Sequence, residues 1–195
     1  MKFNEPWEHH IVDDFLPSDI VEELKRIKIN SDNRDCGGTR TGIPGRHFFT
    51  PAQNDTFTLE LVKHLLGRKE EFEKTFGYDL SHSYLRVELA QDDTHQWLEP
   101  HLDSLDKRIT MVVYIDQDDE NMTDLGTDLY RTSDPDSHAT RAEWKENRCL
   151  VFKPTPEKWH GCERRDYKGR RLVLLINYVN KDTWKSVDQV WDVDL

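Results

Sequence analysis

The chain is short of cysteine. It has three, Cys36, Cys149 and Cys162, an odd number without CxxC spacing. This argues against a disulfide framework or a zinc knuckle, and Cys149, inside the run CLVF, reads as a small buried hydrophobe. Long apolar runs are also missing. No stretch approaches the roughly 20 residues of a membrane span, and the opening MKFNEPWEHH lacks the apolar core of a signal peptide. The expectation is a cytoplasmic chain without a membrane partner. Positive charge is in deficit, with 27 Lys and Arg against 38 Asp and Glu and a formal net charge of −11. Such a surface repels a nucleic-acid backbone, although a local basic stretch, Arg164 to Arg171, softens the argument. There is no internal repeat, low-complexity tract or linker.

At 195 residues, with 35% hydrophobic and 33% charged residues, the chain is polar but can bury one core. We expect a single domain, with residues 1–80 as helical support and lid, 81–180 as a β core and 181–195 as a tail. Residues 6–16 look like a short edge strand, and His9 and His10 on it, pointing to opposite faces, read as surface residues. Pro17 and Ser18 open a helix with Ser18 as N-cap and Ile20, Val21, Leu24 and Ile27 as its apolar face. Residues 30–54 lose periodicity around Arg46-His47-Phe48-Phe49 and suggest a substrate-side lid or pocket wall. A helix over 56–75, interrupted at Gly67, turns Leu59, Val62, Leu65, Leu66, Phe72 and Phe76 inward. Residues 82–90 alternate as a strand should. His95, on the loop that follows, has no partner at ligand spacing. The acidic segment after residue 115 and the polar segment 132–148 read as loops, and the tail with Trp184 and Trp191 packs across a sheet edge.

Two stretches carry the chemistry, EPHLDSLDKRITMVVYI at 99–115 and KWHGCERRDYKGRRLVLLINYV at 158–179. His101 and Asp103, two apart in a strand-like segment, project to one side. His160 precedes another apolar strand. Two imidazoles and one carboxylate on a rigid sheet make a facial triad that leaves adjacent coordination positions open, as non-haem Fe(II) oxygenases require. An HxD pair alone is weak. The β-rich context and the basic pair Arg170–Arg171 strengthen it, because a guanidinium fork matches a carboxylate.

In this order of motifs the chain resembles the Fe(II)/2-oxoglutarate-dependent oxygenases, and among them the prolyl 4-hydroxylase-like branch. The resemblance runs over roughly residues 80–180. It rests on His101 and Asp103, then Arg108, Thr110 and Tyr114, then GTDLY from Gly126, CLVFKP from Cys149, His160, and Gly169 with Arg171. It implies a double-stranded β-helix, a jelly roll with bracing helices. It also implies Fe(II) held by His101, Asp103 and His160, and 2-oxoglutarate held through its far carboxylate by Arg171, with Tyr114 bonding that carboxylate and Thr110 lining the same wall. Arg170 would point the other way, and Asn177 shares the inward face with Arg171. Ascorbate is the candidate reductant. The implied reaction hydroxylates a peptidyl proline, an amino acid or another small molecule while 2-oxoglutarate is decarboxylated to succinate. In the related halogenases a small residue replaces the carboxylate, so Asp103 favours hydroxylation. The alternative from another class is a non-catalytic metal-binding jelly roll or partner-binding module. The residues do not select a substrate or an oligomeric state.

Overall fold

A computed structural model describes residues 1–27, 29, 46–49, 55–93, 97–119, 122, 124–185 and 190–193. In chain order the strands are β1 (Lys2–Phe3), β2 (His9–Val12), β3 (Arg46–Phe49), β4 (Ser83–Asp92), β5 (Leu98–His101) and β6 (Lys107–Gln117). They continue with β7 (Thr127–Tyr130), β8 (His138–Ala142), β9 (Cys149–Phe152), β10 (Trp159–Cys162), β11 (Arg171–Asn180) and β12 (Val190–Asp192). The helices are α1 (Ser18–Arg26), α2 (Thr56–Gly67) and α3 (Lys69–Phe76).

All strand pairs are antiparallel. The larger sheet has the order β1-β2-β9-β6-β11-β4-β12, with β3 also on β4, and the smaller has the order β5-β10-β7-β8. The eight strands β4 to β11 alternate between the sheets so that first, eighth, third and sixth lie side by side in one, and second, seventh, fourth and fifth in the other. That is the winding of a jelly roll.

Alternation gives the larger sheet two different faces. Leu85, Val87, Leu89, Ile109, Met111, Val113, Leu174, Ile176 and Tyr178 point outward and meet Ile20, Val21 and Leu24 of α1, Leu61, Val62 and Leu65 of α2, and Phe72 and Phe76 of α3. The opposite face looks into the barrel with Ala90, Val112, Tyr114, Leu150, Phe152 and Val173. Asp55 caps α2 by accepting from the Thr58 amide at 2.9 Å. The expected interruption falls at Arg68, and α3 ends on Gly77 in the left-handed conformation, φ 72°.

Several local expectations are corrected. β2 is not an edge strand, because it lies between β1 and β9. His9 and His10 do face opposite ways, but both sides are covered and both are buried. His9 stacks on Phe3 and His10 meets the edge of Phe76. Pro17, not Ser18, holds the N-cap position of α1. Leu59 faces solvent, on the outer side of α2. The polar segment 132–148 contains β8, whose Arg141 and His138 read as loop residues but pair with a buried carboxylate. Arg46–Phe49, expected within an irregular lid or pocket wall, is instead a regular strand on β4, with Phe48 in the inner cluster. The remaining lid positions, and His95, lie outside the described residues. The tail behaves as expected, β12 pairing with β4 and Trp191 packing on the core.

Candidate metal centre

His101 ends β5 and His160 lies in β10, and the two are direct cross-strand partners. Their rings stand 4.3 Å apart. Such closeness needs a small residue beside them. A Cβ on Gly161 would come within 2.5 Å of the Leu98 carbonyl oxygen, so only glycine lets β5 lie this close to β10. Asp103 follows β5 in the turn toward β6. One ligand atom from each of His101, Asp103 and His160 lies within 4.8 Å of the others.

The hydrogen bonds fix how these groups present themselves. His101 Nδ1 bonds the Glu99 carbonyl at 3.0 Å, and His160 Nδ1 bonds the Lys158 carbonyl at 3.0 Å. A carbonyl accepts only, so each Nδ1 carries the proton and each Nε2 keeps its lone pair for the centre, as a metal ligand requires. The Thr110 hydroxyl donates to Asp103 Oδ2 at 2.6 Å, and Asn177 Nδ2 donates to Thr110 Oγ1 at 3.2 Å. Lys107 Nζ donates to Asp103 Oδ1. The carboxylate is therefore oriented from both sides.

Electrostatics match this. Burial, reinforced by the neighbouring His160, pushes His101 down to about 4. Burial also lowers His160, against the pull of Asp103. Both imidazoles are neutral at pH 7. Burial alone would raise Asp103, but the charge of Lys107 and the bonds from Lys107 and Thr110 outweigh it, so the carboxyl is held well below its usual range and stays ionised.

A second group, Asp128, His138 and Glu163, also has ligand atoms in reach of one another. Its central carboxylate is already taken. Asp128 accepts from Arg141 Nε at 2.6 Å, Arg165 Nη2 at 2.8 Å, the Glu163 amide at 2.7 Å and His138 at 3.1 Å. This is an ion-pair network without lone pairs to spare.

The residues expected at the co-substrate end lie inside the barrel. Arg171 is 4% exposed, and its Nε donates to the Leu125 carbonyl at 2.6 Å while Nη1 donates to Asp92. Gly169, at φ 83°, makes the turn that leads into it. Arg170 faces the other way, as alternation demands, and donates to the Lys25 and Ile27 carbonyls at the end of α1. Tyr114 is fully buried beneath Arg171 and Trp144, its hydroxyl placed at 3.0 Å from Thr127 Oγ1 and 3.1 Å from the Ala142 carbonyl. Thr110 takes the same inward face of β6 as Val112 and Tyr114, and its hydroxyl holds Asp103. Sequence reasoning missed three residues. Lys107 stands next to the motif residue Arg108 and four after Asp103, Asp92 continues the inward alternation of β4, and Arg46 lay in the supposed lid.

A scan against protein-family models and a search of curated proteins each find no match. Solved structures do match. A prolyl-4-hydroxylase from Pseudomonas putida aligns at TM-score 0.64 and 16% identity, over 88% of this chain and 92% of its own. A Trichoplax adhaerens prolyl hydroxylase in complex with a hypoxia inducible factor peptide gives 0.58 and 15%, over 89% and 84%. HygX from Streptomyces hygroscopicus, with nickel, 2-oxoglutarate and hygromycin B bound, gives 0.58 and 14%, over 94% and 92%. The fold is that of the prolyl-4-hydroxylases and other 2-oxoglutarate–Fe(II) oxygenases. No described helix is long and apolar enough to cross a membrane.

Proposed function

We propose that this chain is a 2-oxoglutarate-dependent Fe(II) dioxygenase that hydroxylates an organic substrate. The observation that carries the reading is the convergence of two Nε2 lone pairs and one ionised carboxylate, with both Nδ1 atoms tied to backbone carbonyls. This donor set fits Fe(II), which two neutral imidazoles and one carboxylate would hold with positions to spare for co-substrate and oxygen. With 2-oxoglutarate, the bound ion supplies dioxygen activation, coupling decarboxylation of the co-substrate to succinate with oxidation of the substrate. The chain supplies position and environment. His101, Asp103 and His160 hold the ion. Lys107 and Thr110 aim the Asp103 carboxylate. Arg171, at the buried end of the barrel, receives the co-substrate's far carboxylate, over the ring of Tyr114.

The structural neighbours take ligands as unlike as a peptide and hygromycin B, so the substrate class here is a peptidyl proline, an amino acid or another small molecule. Trp97, four residues before His101, and Leu105, two after Asp103, are exposed and are the candidates for an apolar contact with such a substrate. The test is succinate release from 2-oxoglutarate with Fe(II) and ascorbate, alone and with candidate substrates. Asp103→Ala should lower Fe(II) affinity or turnover by at least about tenfold, as loss of a direct ligand does. Full turnover in that variant, or no release that depends on 2-oxoglutarate, overturns the reading and favours a non-catalytic jelly roll.

A further inference from the structure

Three neighbouring strands place three charges in one row on the inner face of the larger sheet. Arg46 of β3 is the cross-strand partner of Asp92 of β4, and Asp92 is the partner of Arg171 of β11. Arg46 grips the carboxylate with both arms of its fork, Nε to Oδ1 and Nη2 to Oδ2, the latter at 2.7 Å. Arg171 Nη1 reaches Oδ2 from the other side. All three are secluded, with side-chain exposures of 8% for Arg46, 0% for Asp92 and 5% for Arg171.

Two guanidinium cations against one carboxylate leave one positive charge in the barrel. Among the described residues Asp92 is the only carboxylate paired with Arg46 or Arg171, and a thiol, Cys162, and phenols, Tyr114 and Tyr167, also act on them. A buried charge without a counter-charge is costly and implies an anion from outside. Arg171 also keeps N–H groups for it. Its bonds to Leu125, Gly126 and Asp92 use three of five donors, which leaves one on each Nη.

We propose that Asp92 is an internal counter-ion of Arg171 and that Arg46 decides how much of Arg171 it takes. This rests on the functional reading above. By holding Asp92 in a two-armed grip, Arg46 keeps that carboxylate from neutralising Arg171, which is then free to receive a carboxylate of 2-oxoglutarate. Arg46 is a positioning residue that acts through Asp92. Its position on β3 ties the loading of the co-substrate to the docking of that strand.

Charge arithmetic gives the test. Arg46→Gln brings the buried row to zero, Asp92→Asn raises it to two positive charges, and the double variant returns it to one. Binding of 2-oxoglutarate to the Ni(II)-loaded chain is measured by calorimetry, with folding checked by circular dichroism. Arg46→Gln should weaken binding by about tenfold or more. Asp92→Asn should bind at least as tightly as the parent, and the double variant should recover to within about threefold of it. Should Arg46→Gln fail to fold, the double variant, which leaves no carboxylate stranded, carries the comparison against Asp92→Asn. Parent-like binding in Arg46→Gln, or a folded double variant as weak as Arg46→Gln, overturns the proposal. If Arg171→Gln binds like the parent, or the parent binds no 2-oxoglutarate, the functional reading itself fails.

Discussion

At the scale of single residues, neighbours in sequence have opposite duties. Arg170 closes the end of α1 and meets Asp116, while Arg171 lies inside the barrel. Arg171→Ala should therefore raise the apparent KM for 2-oxoglutarate by the equivalent of about 2–5 kcal/mol, the usual cost of losing one partner of a buried charge pair. Arg170→Ala should leave that KM near the parent value and lower the thermal midpoint instead. A reversed ranking in steady-state kinetics would mean that the inward register of β11 is misassigned. The grouping of His101, Asp103 and His160 was legible in the order of motifs, although the first pair does not share a strand as expected, since β5 ends at His101 and Asp103 lies in the turn beyond it. Lys107, Asp92 and Arg46 were not, because their partners lie across strands or around a turn, and alternation tells which face a residue takes without telling whom it meets. His9 and His10 show the same limit: the faces were right, and the cover over both faces was invisible.

At the scale of elements, the strongly periodic pieces were readable. The α2–α3 break near Gly67, the alternation of β4 and the apolar runs of β9 and β11 follow from patterns of 3.6 and 2 residues. β3, at four residues, is too short to show a period although Phe48 and Phe49 pack on the two cores, and β8 is short and polar and is held by Arg141 and His138 on the buried Asp128. Gly161 belongs to this scale because it governs how two strands approach. Gly161→Ala would set a methyl against the Leu98 carbonyl. It should destabilise the fold by about 1–3 kcal/mol, as overpacking does, and weaken Ni(II) or Co(II) binding measured by titration. Unchanged metal affinity would show that the spacing of β5 and β10 does not tune the centre.

At the scale of the molecule, five histidines among the described residues are held below their ordinary value by burial: His9, His10, His64, His101 and His160. The unfolded chain takes up protons at these positions from pH 6.5 downward, and the folded chain does not until lower pH, about 4 for His101. With more protons bound in the unfolded state, unfolding free energy rises with pH and falls as pH drops. Urea unfolding of the metal-free chain should show stability near its maximum at pH 7 and a steady loss between pH 6.5 and 4. A flat profile across that window would mean that these imidazoles titrate normally in the fold.

The position of β5 at the rim of the smaller sheet, with β10 as its one partner strand there, has a further consequence. Such a strand opens more readily than one flanked on both sides. It carries His101, and Asp103 follows just beyond it, so an ion gripped there would clasp the rim to the strand behind. Amide hydrogens of Leu98, Glu99 and His101 should exchange with solvent deuterium quickly in the metal-free chain and markedly more slowly once Ni(II) is added, while those of β11 should hardly respond. Metal loading would then complete the local order of the barrel mouth, and substrate would meet a formed entrance only in the loaded protein.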